Sequence, residues 1–158
     1  MNKFEFTQEN LKIQNYWISH ANSIASILFA FNGLVIFWVA SRIFELPSIY
    51  LWQNVLIVGF IILSFSTLMV LISVIVPRLG SKTTSLIYFG GIVKHSKEEF
   101  ISRMNILDEK QGEEMLTDQI YQNATIAQKK FTLIKYASKL LIGNIIVSTA
   151  LVVSLYYF

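Results

Sequence analysis

A group of basic and aromatic residues in the middle of the sequence could bind an anionic ligand. Guanidinium and ammonium groups donate hydrogen bonds to phosphate, and aromatic rings stack on nucleobases. This mixture therefore suits a nucleotide or a short oligonucleotide. The alternative is that these residues orient the chain and contact anionic lipid headgroups. The group comprises Arg78, Lys82, Tyr88, Phe89, Lys94, His95, Lys97 and Arg103.

Acidic residues share the same part of the chain. Seven of the ten aspartates and glutamates lie within residues 98–118, and the others are Glu5, Glu9 and Glu45. The basic group is therefore not part of a simple polycation, and we do not expect duplex nucleic acid as a partner.

A second polar pattern lies near the N-terminus, where small and polar residues recur every three or four positions. This spacing places them on one face of a helix. Small and hydroxyl residues let transmembrane helices approach closely, and the same face in an oligomer could line a water-filled path. Both interpretations stay open. The predicted pore-lining residues are Ser19, Asn22, Ser23, Ser26, Ala30 and Gly33, with Asn15 on the same face.

Other polar residues of the apolar stretches lie away from this face. Asn32 is off the stripe, and Asn144 with Ser148 forms a smaller polar pair that we assign to helix packing.

No pattern of catalytic residues is present, and we predict that the chain is not an enzyme. His20 and His95 lack clustered carboxylates for a metal site, and the chain has no cysteine. The Gly90-Gly91 pair is too short to be a phosphate-cradling loop. We predict no catalytic residue, no metal and no resident cofactor.

Three apolar stretches must position these residues. They cover residues 21–40, 51–76 and 140–158, and each is long enough to cross a bilayer as a helix. The chain is 54% hydrophobic with a mean hydropathy of +0.53. Residues 55–76 are apolar on all sides, which disfavours a soluble bundle. The prediction is an all-α integral membrane protein, a single unit with three transmembrane helices and a helical cytoplasmic segment at residues 77–139.

The basic residues predict the orientation. Twelve of the thirteen lysines and arginines lie before the first span or between the second and third, and only Arg42 lies in the first loop. Positive residues favour the cytoplasm. The N-terminus and residues 77–139 are therefore expected in the cytoplasm, and the C-terminus in the periplasm.

Helix boundaries outside the spans follow from local signals. We expect the first helix to begin near Thr7 and the second to open at Pro47 and Ser48. Ser96 to Glu99 forms a capping box for a short helix that ends near Leu107. The last helix is expected to begin near Glu113 and to run through the membrane. Its inward stripe is predicted as Leu116, Ile120, Ala124, Ala127, Phe131 and Ile134.

Over residues 19–150 the chain resembles the Pycsar transmembrane effector family. The resemblance is carried by the order and spacing of ANSIASILFAFNG, PRLG, LIYFGGI followed by HSKEEF, and DQIYQNATIAQKKF. Members of that family show Asp and Lys near the start of the first span, where this chain has Asn22 and Ile24. Charge-dependent gating at those two positions is therefore not carried over.

The resemblance implies a mechanism for antiphage defence. A partner nucleotidyltransferase makes a nucleotide or oligonucleotide signal, the cytoplasmic segment binds it, and a homo-oligomer in the inner membrane changes state. Ions then leak, the cell depolarises and growth stops. The signal either opens the assembly or holds it shut. We take a tetramer as the working assembly. The expected ligand contacts are Arg78, Lys82, Tyr88, Phe89, Lys94, Lys97, Arg103, Lys129 and Lys130.

Two alternatives from other classes remain. One is a structural membrane protein that passes no ions, and the other is a holin-like protein that forms lesions without a ligand.

Overall fold

Three long helices and two short ones form the part of the chain that the structure describes. A computed structural model describes residues 3–44, 50–77, 86 and 89–157. In chain order the helices are α1 (Lys3–Phe44), α2 (Leu51–Ile75), α3 (Phe89–Ile92), α4 (Lys97–Ile106) and α5 (Glu109–Tyr157).

The three long helices confirm the predicted all-α membrane architecture. Within the described residues, α1, α2 and α5 are each long and apolar enough to cross a membrane, and no strand is present. At about 1.5 Å per residue, the 42 residues of α1 and the 49 of α5 extend well beyond a bilayer core about 30 Å thick. Both helices therefore continue outside the membrane.

Local signals explain where the helices begin. Ser96 caps α4 as predicted, because its side chain accepts a hydrogen bond from the Glu99 amide at 3.1 Å. Helix α5 begins at Glu109, four residues before the predicted start, because Asp108 accepts from the Gln111 amide at 2.7 Å and acts as its cap.

The predicted starts of α1 and α2 have different outcomes from those of α4 and α5. Helix α1 begins at Lys3 and so includes the residues before Thr7. The predicted opening of α2 at Pro47 and Ser48 lies outside the described residues.

The chain divides into two compact units. Unit 1 comprises Met1–His20 and Pro77–Lys129, and unit 2 comprises Ala21–Val76 and Lys130–Phe158. In unit 1, α1 and α5 run parallel: the Lys3 ammonium lies 2.6 Å from the Glu113 carboxylate, and Asn123 donates to Asn15 at 2.8 Å. These contacts join residues 110 and 108 positions apart, so the register of the two helices is nearly constant.

Unit 2 is a three-helix bundle whose inward positions alternate in steps of three and four residues. This is the 3.5-residue repeat of coiled-coil packing. Every position of the repeat is buried or half-buried. The repeat comprises Ala21, Ala25, Leu28, Asn32, Val35 and Val39 of α1, then Gln53, Ile57, Phe60, Ser64, Thr67, Leu71 and Val74 of α2. From α5 it takes Lys130, Ile134, Ala137, Leu141, Asn144, Ser148 and Leu151. The stripe predicted for α5 is also buried or half-buried at all six positions.

Two apolar clusters form the core of unit 2. One joins Ala21, Ala25, Leu71, Val74, Ile134 and Ala137, and the other joins Val39, Phe60 and Leu151. In each of the three helices, the residue midway between the clusters is polar, and these polar residues are described below.

Candidate functional site

The small-residue stripe of α1 lies on the exposed side of the helix. Ser19, Ser23, Ser26, Ala30 and Gly33 are all exposed, and a Cβ atom added at Gly33 would meet nothing within 4 Å. The five residues follow one another in steps of four and three. In unit 2, each stripe residue lies two positions before an inward residue of α1, or about 200° away around the helix axis. Helix α1 therefore has a packing face on one side and a small, polar face nearly opposite.

The exposed face of α2 has a different composition. It presents mainly large apolar side chains, among them Val55 and Phe65, which are 68% and 63% exposed. Large apolar groups on the outside of a transmembrane helix suit contact with lipid tails. The stripe of α1 consists of five small residues, with the large exposed side chains of Ile27 and Leu34 beside it.

Asn22 differs from the rest of the predicted stripe. It is half-buried, and its side-chain oxygen accepts a hydrogen bond from the Lys130 ammonium at 2.7 Å. Lys130 also donates to the backbone carbonyl of Val74 in the last turn of α2. Lys130 is only 8% exposed. The structure thus places this predicted ligand contact inside unit 2, where it links α1, α2 and α5.

A closed ring of hydrogen bonds joins the three helices at a second level of unit 2. Asn144 donates to the side-chain oxygen of Asn32 at 3.0 Å, and Asn32 donates to the Ser64 carbonyl at 3.2 Å. The Ser64 hydroxyl closes the ring by donating to the side-chain oxygen of Asn144 at 3.2 Å. Both asparagines are fully buried. This ring lies between the two apolar clusters, and every bond in it crosses from one helix to another.

A further buried amide lies near the start of α2. Gln53 is 2% exposed, donates to the Ser154 carbonyl at 3.3 Å and accepts from the Tyr50 amide at 2.9 Å. Ser148, by contrast, bonds to the Ile145 carbonyl of its own helix. The sequence pattern indicates no role for Asn32 beyond its position off the stripe, and none for Ser64 or Gln53. A usable signal was present, because isolated polar residues inside membrane spans face the bundle interior.

The predicted ligand contacts are spread over several elements. Lys94 and Lys97 are exposed near the start of α4, and Lys129 is exposed on α5. Arg103 is held by Glu99 at 2.8 Å, and the same carboxylate lies 3.3 Å from His95 Nδ1. Arg78, Lys82 and Tyr88 lie outside the described residues, and of Phe89 only the backbone in α3 is described.

A surface groove of about 530 Å³ lies in unit 1 between Lys3 of α1 and residues 110–121 of α5. Its lining includes two cations, Lys3 and Lys110, and three acids, Glu113, Glu114 and Asp118. None of the predicted ligand contacts lines it. This balance of charge does not favour a phosphate-bearing ligand.

Within the groove, Lys3 forms an ion pair with Glu113. The hydrogen bond from Lys3 to Glu113, together with their charge attraction, raises the pKa of Lys3. Among the described residues, no three His, Asp or Glu side chains come together as metal ligands.

Comparison with known proteins identifies one family. The family model of the Pycsar effector protein domain matches residues 6–158. No curated protein and no solved structure matches the chain.

Proposed function

The chain belongs to the Pycsar effector family, and on this basis we propose that it is an oligomeric ion channel gated by a nucleotide signal. Family membership makes it a membrane effector of antiphage defence. In our proposal a partner nucleotidyltransferase makes the nucleotide or oligonucleotide, and residues 77–139 bind it. The assembly in the bacterial inner membrane then changes its conductance, and the cell depolarises and stops growing.

The exposed stripe of α1 is the observation that carries this proposal. A helix face built from Ser, Ala and Gly allows another helix backbone to approach closely. The opposite face of α1 already packs within its own protomer, and the outer face of α2 is suited to lipid. The stripe is therefore well suited to contact a second copy of the chain. Around a symmetry axis, we expect four copies to place the hydroxyls of Ser19, Ser23 and Ser26 along a central path.

The charges outside the spans support the ligand class. Lys94, Lys97 and Lys129 present ammonium groups to solvent, and an ammonium group binds phosphate through a charge-assisted hydrogen bond. Arg103 can join them if a phosphate competes with Glu99 for its guanidinium. Lys130 is less suited to direct ligand contact, because its ammonium already bonds to Asn22 and Val74.

The parallel course of α1 and α5 supports the proposed orientation. In unit 2 the Asn22–Lys130 and Asn32–Asn144 contacts join residues 108 and 112 positions apart, so both helices run in the same direction. If both cross the membrane, both enter it from the same side. The basic residues before α1 and between α2 and the span of α5 then share the cytoplasmic side.

The test is ion flux from liposomes that contain the purified protein, with and without nucleotides. We would compare Ala30→Phe with Ala150→Phe, because both alanines are exposed within spans but only Ala30 lies on the stripe. Phe at position 30 should abolish nucleotide-dependent flux and disrupt the oligomer measured by chemical cross-linking. Phe at position 150 should leave both unchanged.

Other outcomes separate the alternatives. A protein that forms the oligomer but shows no flux with any nucleotide would be a structural membrane protein. Leakage that increases with protein density and ignores nucleotides would indicate a holin-like protein. Either result would refute the gated channel.

A further inference from the structure

Lys130 is a buried charge whose neighbours among the described residues include two neutral acceptors on two other helices. Its ammonium donates to the Asn22 side chain on α1 and to the Val74 carbonyl on α2, while Lys130 itself belongs to α5. A buried ammonium is costly unless hydrogen bonds satisfy it. The packing of the three helices at this level therefore depends on keeping both acceptors in place.

The Val74 carbonyl is well suited to a cation. It lies in the last turn of α2, where carbonyl groups have no partner within the helix and the helix dipole is negative. Asn22 supplies only an amide oxygen, which binds a cation less strongly than a carboxylate would. Each of these two hydrogen bonds is weaker than an ion pair with a carboxylate, so each can be broken and remade.

Lys130 is also well placed to respond to a movement of α5. Unit 1 ends at Lys129 and unit 2 begins at Lys130, and α5 is one unbroken helix through both residues. Lys129 is exposed whereas Lys130 is buried. No glycine or proline occurs between Gly112 and Gly143, so no residue in this stretch offers an easy kink. A rotation of α5 about its own axis would therefore move Lys130 relative to its acceptors.

We propose that Lys130 is a latch that holds the three helices of unit 2 in one packing, and that the signal acts by moving the Lys130 ammonium away from Asn22 and Val74. This deepens the proposed function, on which it rests for the identity of the trigger. The latch itself is a property of the bundle and can be tested without any nucleotide.

Position 22 allows the latch to be strengthened or weakened while Lys130 stays intact. Asn22→Asp replaces the amide with a carboxylate of the same shape and makes an ion pair with Lys130. Asn22→Leu keeps a similar volume but removes the acceptor. The first variant should hold unit 2 closed more tightly, and the second should let it open more often.

The opening of unit 2 can be measured by thiol alkylation, because the natural chain has no cysteine. A single cysteine at Ala137, which is 1% exposed, would react with a maleimide only when the bundle opens. The protein is measured in detergent micelles, and each rate is divided by that of the same variant in denaturant. We expect Asn22→Leu to speed alkylation about tenfold and Asn22→Asp to slow it about tenfold, each corresponding to about 1.4 kcal/mol.

A double-mutant cycle shows whether these effects pass through Lys130. In a Lys130→Met background, Asn22→Asp should speed alkylation, because the buried carboxylate then lacks this cation. Lys135→Met is the matched control, since it removes an exposed ammonium from the same helix and should leave both effects of position 22 unchanged. If Asn22→Asp slows alkylation equally with Lys or Met at position 130, the latch is refuted.

Flux measured on liposomes of the same variants, with the four cyclic nucleoside monophosphates as probes, separates the two proposals. Coupling between positions 22 and 130 without any nucleotide-dependent flux would keep the latch and refute the gated channel for these ligands. Nucleotide-dependent flux without coupling would keep the channel and refute the latch. A nucleotide that opens the channel should also speed alkylation at position 137, and should do so less in Asn22→Asp.

Discussion

Removing one asparagine from the hydrogen-bonded ring of unit 2 should destabilise the bundle by an amount that the ring geometry sets. Asn144→Leu removes two interhelical bonds, one to Asn32 and one from Ser64. Interhelical hydrogen bonds in membranes contribute about 0.6 kcal/mol on average and up to about 1.7. The expected loss is therefore about 1–3 kcal/mol, since the leucine fills the space but leaves the two partner groups without these bonds.

The assay is unfolding of the purified protein by sodium dodecyl sulfate in mixed micelles, followed by tryptophan fluorescence. Ser148→Ala is the matched control, because Ser148 is also buried on the inward side of α5 but bonds only to its own helix. It should cost less than about 0.5 kcal/mol, as expected when no bond between helices is lost.

The combined variant Asn32→Leu/Asn144→Leu gives the sharper test. Each single variant removes two bonds of the ring, and one of those bonds is common to both. The double variant thus loses three bonds, not four, and its cost should fall short of the sum by about one bond, or about 0.6–1.7 kcal/mol. Additive costs, or a Ser148→Ala cost equal to that of Asn144→Leu, would refute the assignment of the ring as a packing device.

Three further predictions concern single contacts. Gln53→Leu removes a buried bond between α2 and α5 and should lower the free energy of unfolding by about 1–2 kcal/mol in the same micelle assay; an unchanged value would contradict this. Ser96→Ala removes the cap of α4 and should cost that helix about 1 kcal/mol, seen as faster hydrogen exchange at the Glu99 amide; exchange at the wild-type rate would show that the cap is not needed. Lys3→Met should leave unfolding unchanged between pH 6 and pH 9, because Lys3 is 79% exposed and such ion pairs contribute little. Glu113 raises the pKa of Lys3, so any stabilisation by the pair is complete below the lysine pKa of the unfolded chain and is lost only as the pH rises through the higher pKa of the folded protein. A stability difference between the wild type and Lys3→Met that shrinks from pH 6 to pH 9 would contradict this sign.

The spans and the cap of α4 could be predicted because their signals are local. About 20 consecutive apolar residues have few alternatives to a membrane helix, and the Ser96–Glu99 spacing specifies a helix start. The start of α5 was harder, because the predicted start near Glu113 follows a glycine, Gly112, whereas Asp108 caps the helix four residues before Gly112. A cap was competing with a helix breaker, and the cap decides the boundary.

The inward faces of the spans could not be predicted from hydrophobicity. Exposed side chains of the spans such as Phe65 are as apolar as core side chains, so the pattern that marks the inside of a soluble helix is absent here. The polar residues within the spans indicate which faces point inward. Asn32 and Asn144 were visible as isolated amides in apolar stretches, but only the structure shows that they bond to each other.

For the candidate site, the sequence located the stripe of α1, and the structure places five of its members on the exposed face. It did not separate Asn22 from that stripe, nor Lys130 from Lys129, because neighbouring residues on a helix point in directions about 100° apart. Asn22 and Lys130 turn toward the bundle, whereas the other stripe residues and Lys129 are exposed. Their assignments as pore-lining and ligand-binding residues stay predictions.

The hydrogen-bonded ring also has a consequence for how the protein is made. Asn32 meets its first partner, Ser64, 32 residues later in the chain, but Asn144 follows only after 112 residues. At about 5–20 residues per second, the ribosome needs roughly 6–22 s to reach Asn144 after it has made Asn32. Part of that interval passes before α2 is complete at Ile75, and for the rest the nascent hairpin of α1 and α2 has an amide oxygen that has not yet met its partner. We expect this hairpin to be the substrate that an insertase must hold until the last helix arrives.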